Sequence, residues 1–247
     1  MAVPAFLPWF VILGSVAMIA SLLLVLRNSL GRAGWPDPER ARALRVTASV
    51  LIGWFSLAVA FAAAGAYRGT PDRLPTIQYA LFLPVIVGVV LLWRSAAFRR
   101  LIDAVPQHLL VGVQLYRALG VVFLILLALD KLPGLFAWPA GTGDVLVGLL
   151  APMVGAAYLR SPRESGAAVW AWNVFGLADL AVAVATGFLT SPSPVQRFAL
   201  EAPNDLISAF PLALVPTFLV PISIVLHVAS LKKLHEERSV AKVLPIP

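Results

Sequence analysis

Arg117 stands near the middle of LLVGVQLYRALGVVFLILLAL (109–129), a stretch that holds no acid and no second charge. A guanidinium at that depth in hydrocarbon costs about 3 kcal/mol on insertion scales, so it needs a carboxylate partner or must snorkel to the interface along its stem. The acid at matching depth is Asp179, in WNVFGLADLAVAVATGFL (172–189). At about 1.5 Å per helical residue, Arg117 lies about 13 Å and Asp179 about 18 Å in from the same side. The expected contact is between these two, directly or through Gln114, Asn173 or water. Such a pair can hold a small anion on the arginine, carry a proton or cation on the aspartate, or lock helix register and do nothing more. Gln114 and Arg117 are three apart and share one side of their helix, which Gly120 continues. Gly176, Asp179 and Ala183 form a small-residue seam on the other helix. Trp172 is expected to cover Asp179 from the nearer side.

Two more titratable residues sit in apolar surroundings. Asp144 lies in KLPGLFAWPAGTGDVLVGLLAPMVGAAYL (131–159), just after Gly141, Thr142 and Gly143. Those three are expected to cap a helix, with Asp144 in its first turn at the membrane rim, where the helix dipole favours an acid and an outer mouth would attract cations. Gly148, Ala151 and Gly155 follow as a packing face. His227 is expected about one turn from the end of the last helix, and His108 at the opening of the fourth. Both then sit too shallow for a bis-histidine haem and read as interfacial hydrogen-bonding residues, with proton relay as the other role open to His227. On these depths Asp144 and His227 fall near opposite faces. The last helix, ISAFPLALVPTFLVPISIVLHVASLKKL (207–234), carries Pro211, Pro216 and Pro221. Each removes a backbone hydrogen bond and bends the helix, and in lipid the freed carbonyls need protein or water partners. Thr217 is placed to bond back into the unwound turn. No H-E-x-x-H, G-x-S-x-G or P-loop spacing occurs, so no cofactor or metal site is expected, and an intramembrane enzyme is the weakest reading, one that a cluster of Asp144, Asp179 and His227 around a water-filled pocket would revive. The last span has no lysine before Lys232, which excludes a retinal Schiff base.

A membrane bundle must position these residues. Of 247 residues, 60% are apolar and 13% charged, where a soluble domain carries about 25% charge. With no cysteine, disulfides, thiolate metal sites and thiol catalysis are excluded. Seven windows are long enough to span: Ala5–Leu26, Val46–Tyr67, Ile77–Trp93, Leu109–Leu129, Gly141–Leu159, Ala167–Thr190 and Leu206–Leu231. The first lacks a basic start and reads as a retained anchor. Fourteen of the 19 Lys and Arg residues follow spans one, three and five or lie in the carboxyl tail, four lie on the opposite side, and Arg117 remains inside. That asymmetry predicts an external amino end and a cytoplasmic carboxyl end. It also accounts for the net charge of +7 without nucleic acid, since no basic stripe lies on a soluble face. VQRFAL (195–200) is expected to lie as one amphipathic turn on the headgroups.

LFLPVIVGVVLLW with FRRL in the third span and TFLVPISIVLHVASLKKL in the seventh suggest two parallel three-helix units joined by the fourth helix. That plan is similar to the seven-helix SWEET sugar transporters, though their proline-glutamine signature is missing. A parallel repeat implies a substrate site near the midplane. Through QLYRALG, LPGLFAWPAGTGD, WNVFGLAD and PTFLVPISIVLH, roughly Gln114 to His227, the chain also resembles a group of uncharacterised bacterial inner-membrane proteins. The resemblance implies a bacterial inner membrane and carries no activity.

The expectation is an all-α, polytopic membrane protein, one seven-helix domain over 1–247, with the lipid bilayer and a small solute or protons as partners. Its expected function is transport or conduction, with Arg117, Asp179, Gln114, Asn173, Asp144 and His227 binding the solute or proton. The alternative is a ligand-sensing or accessory protein that binds a lipid, quinone or partner helix.

Overall fold

The structure is a computed structural model and describes residues 3–243; the tail residues Arg238 and Lys242, counted in the charge asymmetry, lie outside the described side chains. Among the described residues, seven helical segments are long and apolar enough to cross a membrane, and the chain is a multi-pass, all-helical membrane protein. They are α1 (Leu7–Arg32), α2 (Asp37–Ala63), α3 (Ile77–Arg94), a broken fourth span (Gln107–Ala128), α7 (Gly134–Arg160), α8 (Pro162–Thr190) and a broken seventh span (Val215–Glu237). Between α3 and the fourth span runs α4 (Ala96–Ala104), far too short to cross. Its amino end is capped by Ser95, whose Oγ accepts from the Phe98 N–H at 3.2 Å. We call the end holding the Arg-rich connections the basic end and the other the far end.

The fourth span departs from an α-helix where its chemistry lies. It runs as α5 (Gln107–Gly112), a 3₁₀ stretch (Val113–Gly120) and α6 (Val121–Ala128). A 3₁₀ helix has about three residues per turn, so Gln114, Arg117 and Gly120 stack on one line. All three are buried. This stretch packs against α7, where Gly148 admits its backbone: a Cβ there would lie 2.3 Å from the Ala118 nitrogen.

The seventh span corrects the expectation of a single helix from Leu206. Residues 206–213 hold a short 3₁₀ turn and non-helical backbone, and the span starts with a π turn (Val215–Leu219) that leads into α9 (Val220–Val243). Pro211 therefore precedes the helix, while Pro216 and Pro221 sit in and just after the π turn. Pro221 cannot donate to the Thr217 carbonyl, and the Trp54 indole of α2 does so instead, at 3.1 Å. Thr217 Oγ1 bonds back to the Ala213 carbonyl at 2.7 Å. Trp54→Phe would strand the Thr217 carbonyl, and a loss of about 1 kcal/mol is expected in reversible unfolding in micelles. An unchanged stability would show that the π turn does not depend on this bond.

Two end regions also differ from expectation. Residues 195–200 form no helical turn; there the Gln196 side chain bonds the Phe198 and Ala199 carbonyls at 3.2 and 3.3 Å. α7 starts at Gly134, after Pro133, so Gly141–Gly143 lie inside the helix and cap nothing. The buried apolar side chains gather in three clusters, around Phe123 and Leu126, around Met18 and Phe218, and around Val147 and Trp172. The polar groups described next lie where α7, α8, α9 and the 3₁₀ stretch meet.

Candidate functional site

Arg117 does not snorkel. Its side chain is buried, and its planar fork is filled from three neighbouring helices. Nε donates to Asp144 Oδ1 at 2.7 Å, and Nη2 reaches the same oxygen at 2.6 Å and also Asp179 Oδ2. Nη1 donates to the Gly176 carbonyl at 3.3 Å and to His227 Nε2 at 3.0 Å. A guanidinium has five N–H groups and no acceptor; four of them are engaged in hydrogen bonds, and Nη2 lies at ion-pair distance from Asp144 as well. Because Arg117 can only donate, Nε2 of His227 must accept. The ring is then neutral, with its proton on Nδ1.

That proton continues the network. His227 Nδ1 donates to Asn173 Oδ1 at 2.9 Å. The Asn173 amide donates to Ser230 Oγ at 2.9 Å and to the Val169 carbonyl at 2.8 Å. Gln107 Nε2 reaches Ser230 Oγ at 2.8 Å from the first turn of α5. An unbroken line of buried side chains thus runs from the carboxylates at mid-membrane to the basic end. Trp172 packs on the His227 ring, centroids 4.8 Å apart, and donates to the Val147 carbonyl at 3.0 Å. It shields the histidine, a contact the sequence does not suggest.

Glycines let the helices close around the cluster. A Cβ at Gly143 would lie 1.6 Å from Asp179 Oδ1, and one at Gly176 would lie 2.4 Å from His227 Nε2. Both glycines are absences that make room for a functional side chain on the neighbouring helix.

Several sequence expectations change here. The Arg117–Asp179 contact is direct. Asp144 is not at the rim: ten residues of α7 precede it, about 15 Å of helix. His227 is fully buried inside the bundle and not at an exposed helix end, and its helix runs on beyond Leu231. The two therefore do not lie near opposite faces but share Arg117. Asn173 holds the histidine and bridges nothing between Arg117 and Asp179. Gln114 is fully buried, and neither its Oε1 nor its Nε2 has a hydrogen-bond partner among the described residues. Ser230 and Gln107 were missed, although Ser223, His227 and Ser230 recur at helical spacing as a polar stripe on an apolar helix. Ser223 meets the Tyr116 hydroxyl at 2.7 Å beside the cluster.

Two narrow cavities touch the cluster. One of about 40 Å³ lies beside Arg117, Asp144, Tyr116 and Ser223. The other, about 60 Å³ and walled mainly by apolar side chains, runs from Gly69 and Ser191 at the far end to Asp144. Asp144 lines both. Among the described residues no group of three or more His, Cys, Asp or Glu is placed to hold a metal ion; the guanidinium fills the space between the carboxylates, and both nitrogens of His227 are engaged.

The description "domain of unknown function (DUF8737)" belongs to a family that matches residues 74–235. Every side chain of the cluster and of the line to the basic end falls inside that segment, while α1 and α2 precede it. Neither a curated protein nor a solved structure matches the chain. With more than half of its length matched, the chain belongs to the DUF8737 family.

Proposed function

We propose that the protein is a membrane transporter or channel for a small solute or protons, and that the cluster around Arg117 is its proton-carrying centre. The observation that carries this is one of charge. One guanidinium faces two largely buried carboxylates and a neutral imidazole. With both acids ionised the group bears one excess negative charge, which at mid-membrane is costly until a proton or monovalent cation balances it. Arg117 is already faced by two carboxylates, a carbonyl and an imidazole, so its role is to hold Asp144 and Asp179 in place. A cavity touches Asp144 from the far end, and the line His227–Asn173–Ser230–Gln107 leaves from the other side. A group that can take one proton and is reached by a cavity from the far end is what a proton-coupled carrier needs.

The proposal sets the protein in a bacterial inner membrane, with the amino end outside and the basic end in the cytoplasm. The charge asymmetry supports the orientation, and the resemblance to bacterial inner-membrane proteins supports the location. The test uses purified protein in liposomes with a pH-sensitive dye inside and a potential set by potassium and valinomycin. Wild type is expected to carry protons inward. Asp144→Asn and Asp179→Asn keep the shape and remove the excess charge, and each is expected to lower the rate more than tenfold. Asp72→Asn, in an exposed loop, is expected to leave it unchanged. Equal rates in wild type and both site variants remove these acids from the mechanism.

A further inference from the structure

A third cavity has no part in the polar centre. It lies between α2 and α3, two helices that scarcely touch each other, and has a volume of about 350 Å³. Val50 of α2 and Val87 of α3 form its walls, Ile222 and Val225 of α9 its floor, and Leu101 and Ile102 of α4 close it towards the basic end. Thr47 supplies the one polar side chain apart from the Trp54 indole, which is already bonded to Thr217. The cavity residues of α9 lie on a different face from Ser223, His227 and Ser230, so the cleft and the polar centre are separated by that helix.

Nothing in such a cleft can bind a polar solute, and hydrocarbon is its natural filling. What distinguishes it from ordinary lipid contact is the charge at its mouth. Arg42 lies one turn beyond Val46 on the α2 wall, towards the basic end, and Arg94 one turn beyond Leu91 on the α3 wall. Both are exposed and have no ion pair among the described residues. The acids nearby are Glu39, which pairs with Arg100 at 3.7 Å, Asp37, which pairs with Arg40 at 2.7 Å, and Asp103 on α4. Arg99 of α4 donates to the Trp93 carbonyl at 2.6 Å and stands beside Arg94 without a carboxylate. The arrangement is therefore a hydrocarbon slot topped by unpaired arginines at headgroup depth.

We propose that this cleft is a binding site for one anionic glycerophospholipid, with an acyl chain between α2 and α3 and the phosphate held between Arg42 and Arg94. The short amphipathic helix α4 closes the slot over the chain and presents Arg99 to the headgroup. The site is independent of the transport proposal, since none of its residues belongs to the polar cluster.

The test is native mass spectrometry of the full chain released from vesicles of equal phosphatidylglycerol and phosphatidylcholine. One phosphatidylglycerol per chain is expected to remain bound, with a preference of roughly tenfold over phosphatidylcholine. Val87→Trp fills the slot and is expected to abolish retention. The surface variant Arg42→Gln/Arg94→Gln, which leaves the slot and the packing alone, is expected to keep a bound lipid but lose the preference. Equal retention of the two lipids by wild type, an unaltered preference in the double arginine variant, or a neutral isoprenoid bound in place of phospholipid would each overturn the proposal.

Discussion

Replacing Arg117 with alanine is expected to cost the folded protein about 3–5 kcal/mol, the size of effect seen when one member of a buried ion group is removed. The loss comes less from the contacts broken than from what is left behind. Asp144 and Asp179 would remain at mid-membrane with no cation, and the His227 Nε2 and the Gly176 carbonyl would lose their donor. Arg117→Lys is expected to fall between wild type and alanine. An ammonium keeps the charge but has three donors on a point, and it cannot span two carboxylates, a carbonyl and an imidazole in one plane. The decisive comparison is Arg117→Met with Asp144→Asn and Asp179→Asn. Removing the whole charged group leaves no uncompensated ion, so most of the stability is expected to return while proton flux stays absent. Reversible unfolding in mixed micelles measures all three. An alanine variant as stable as wild type, or a triple variant no better than alanine, would show that the ion group does not hold the helices together.

How much of this was legible in the sequence depends on whether a physical demand left a local mark. Arg117 in apolar sequence demands an acid, and Asp179 is at the right depth, so their contact could be argued from residues alone. Asp144 obeys the same demand, yet Gly141, Thr142 and Gly143 ahead of it look like a helix start. In this bundle Gly141 and Gly143 serve close approach: a Cβ at Gly141 would lie 2.7 Å from Leu124 Cγ. A glycine that makes room and a glycine that ends a helix have the same letter, and the difference lies in the partner helix. His227 was misplaced because Lys232 and Lys233 look like the end of a span. Lys233 instead stays in helix and donates to the Asp103 and Val105 carbonyls, at 2.8 and 2.6 Å, which ties α9 to the connection ahead of the fourth span. The 3₁₀ stretch left no mark at all. VQLYRALG suits an α-helix as well, and what aligns Gln114, Arg117 and Gly120 is their packing against α7, a tertiary cause.

The same close approach makes Gly143 the most sensitive position that carries no chemistry of its own. A methyl group there would lie 1.6 Å from Asp179 Oδ1 and 2.3 Å from Asp179 Cγ. Because Cγ itself is overlapped, turning the carboxylate about its last bond brings no relief. Either α7 and α8 part by about 1.5 Å to restore normal carbon contacts, or Asp179 swings away from Arg117. Gly143→Ala is thus expected to cost about 1–3 kcal/mol from overpacking, with further loss from the broken ion pair, and to stop proton flux although every polar residue is intact. Gly53→Ala is the control, since a Cβ there meets nothing within 4 Å; it is expected to stay within about 1 kcal/mol of wild type. A double-mutant cycle identifies the cause. In an Asp179→Ala background the overlapped atoms are gone, and Gly143→Ala is expected to cost less than about 1 kcal/mol. If alanine at 143 is as harmful there as in wild type, its effect comes from some other contact of α7 and not from the carboxylate. If it is harmless in both, the helices do not meet as closely as the glycine allows, and the fit between Gly143 and Asp179 does not position the carboxylate against Arg117.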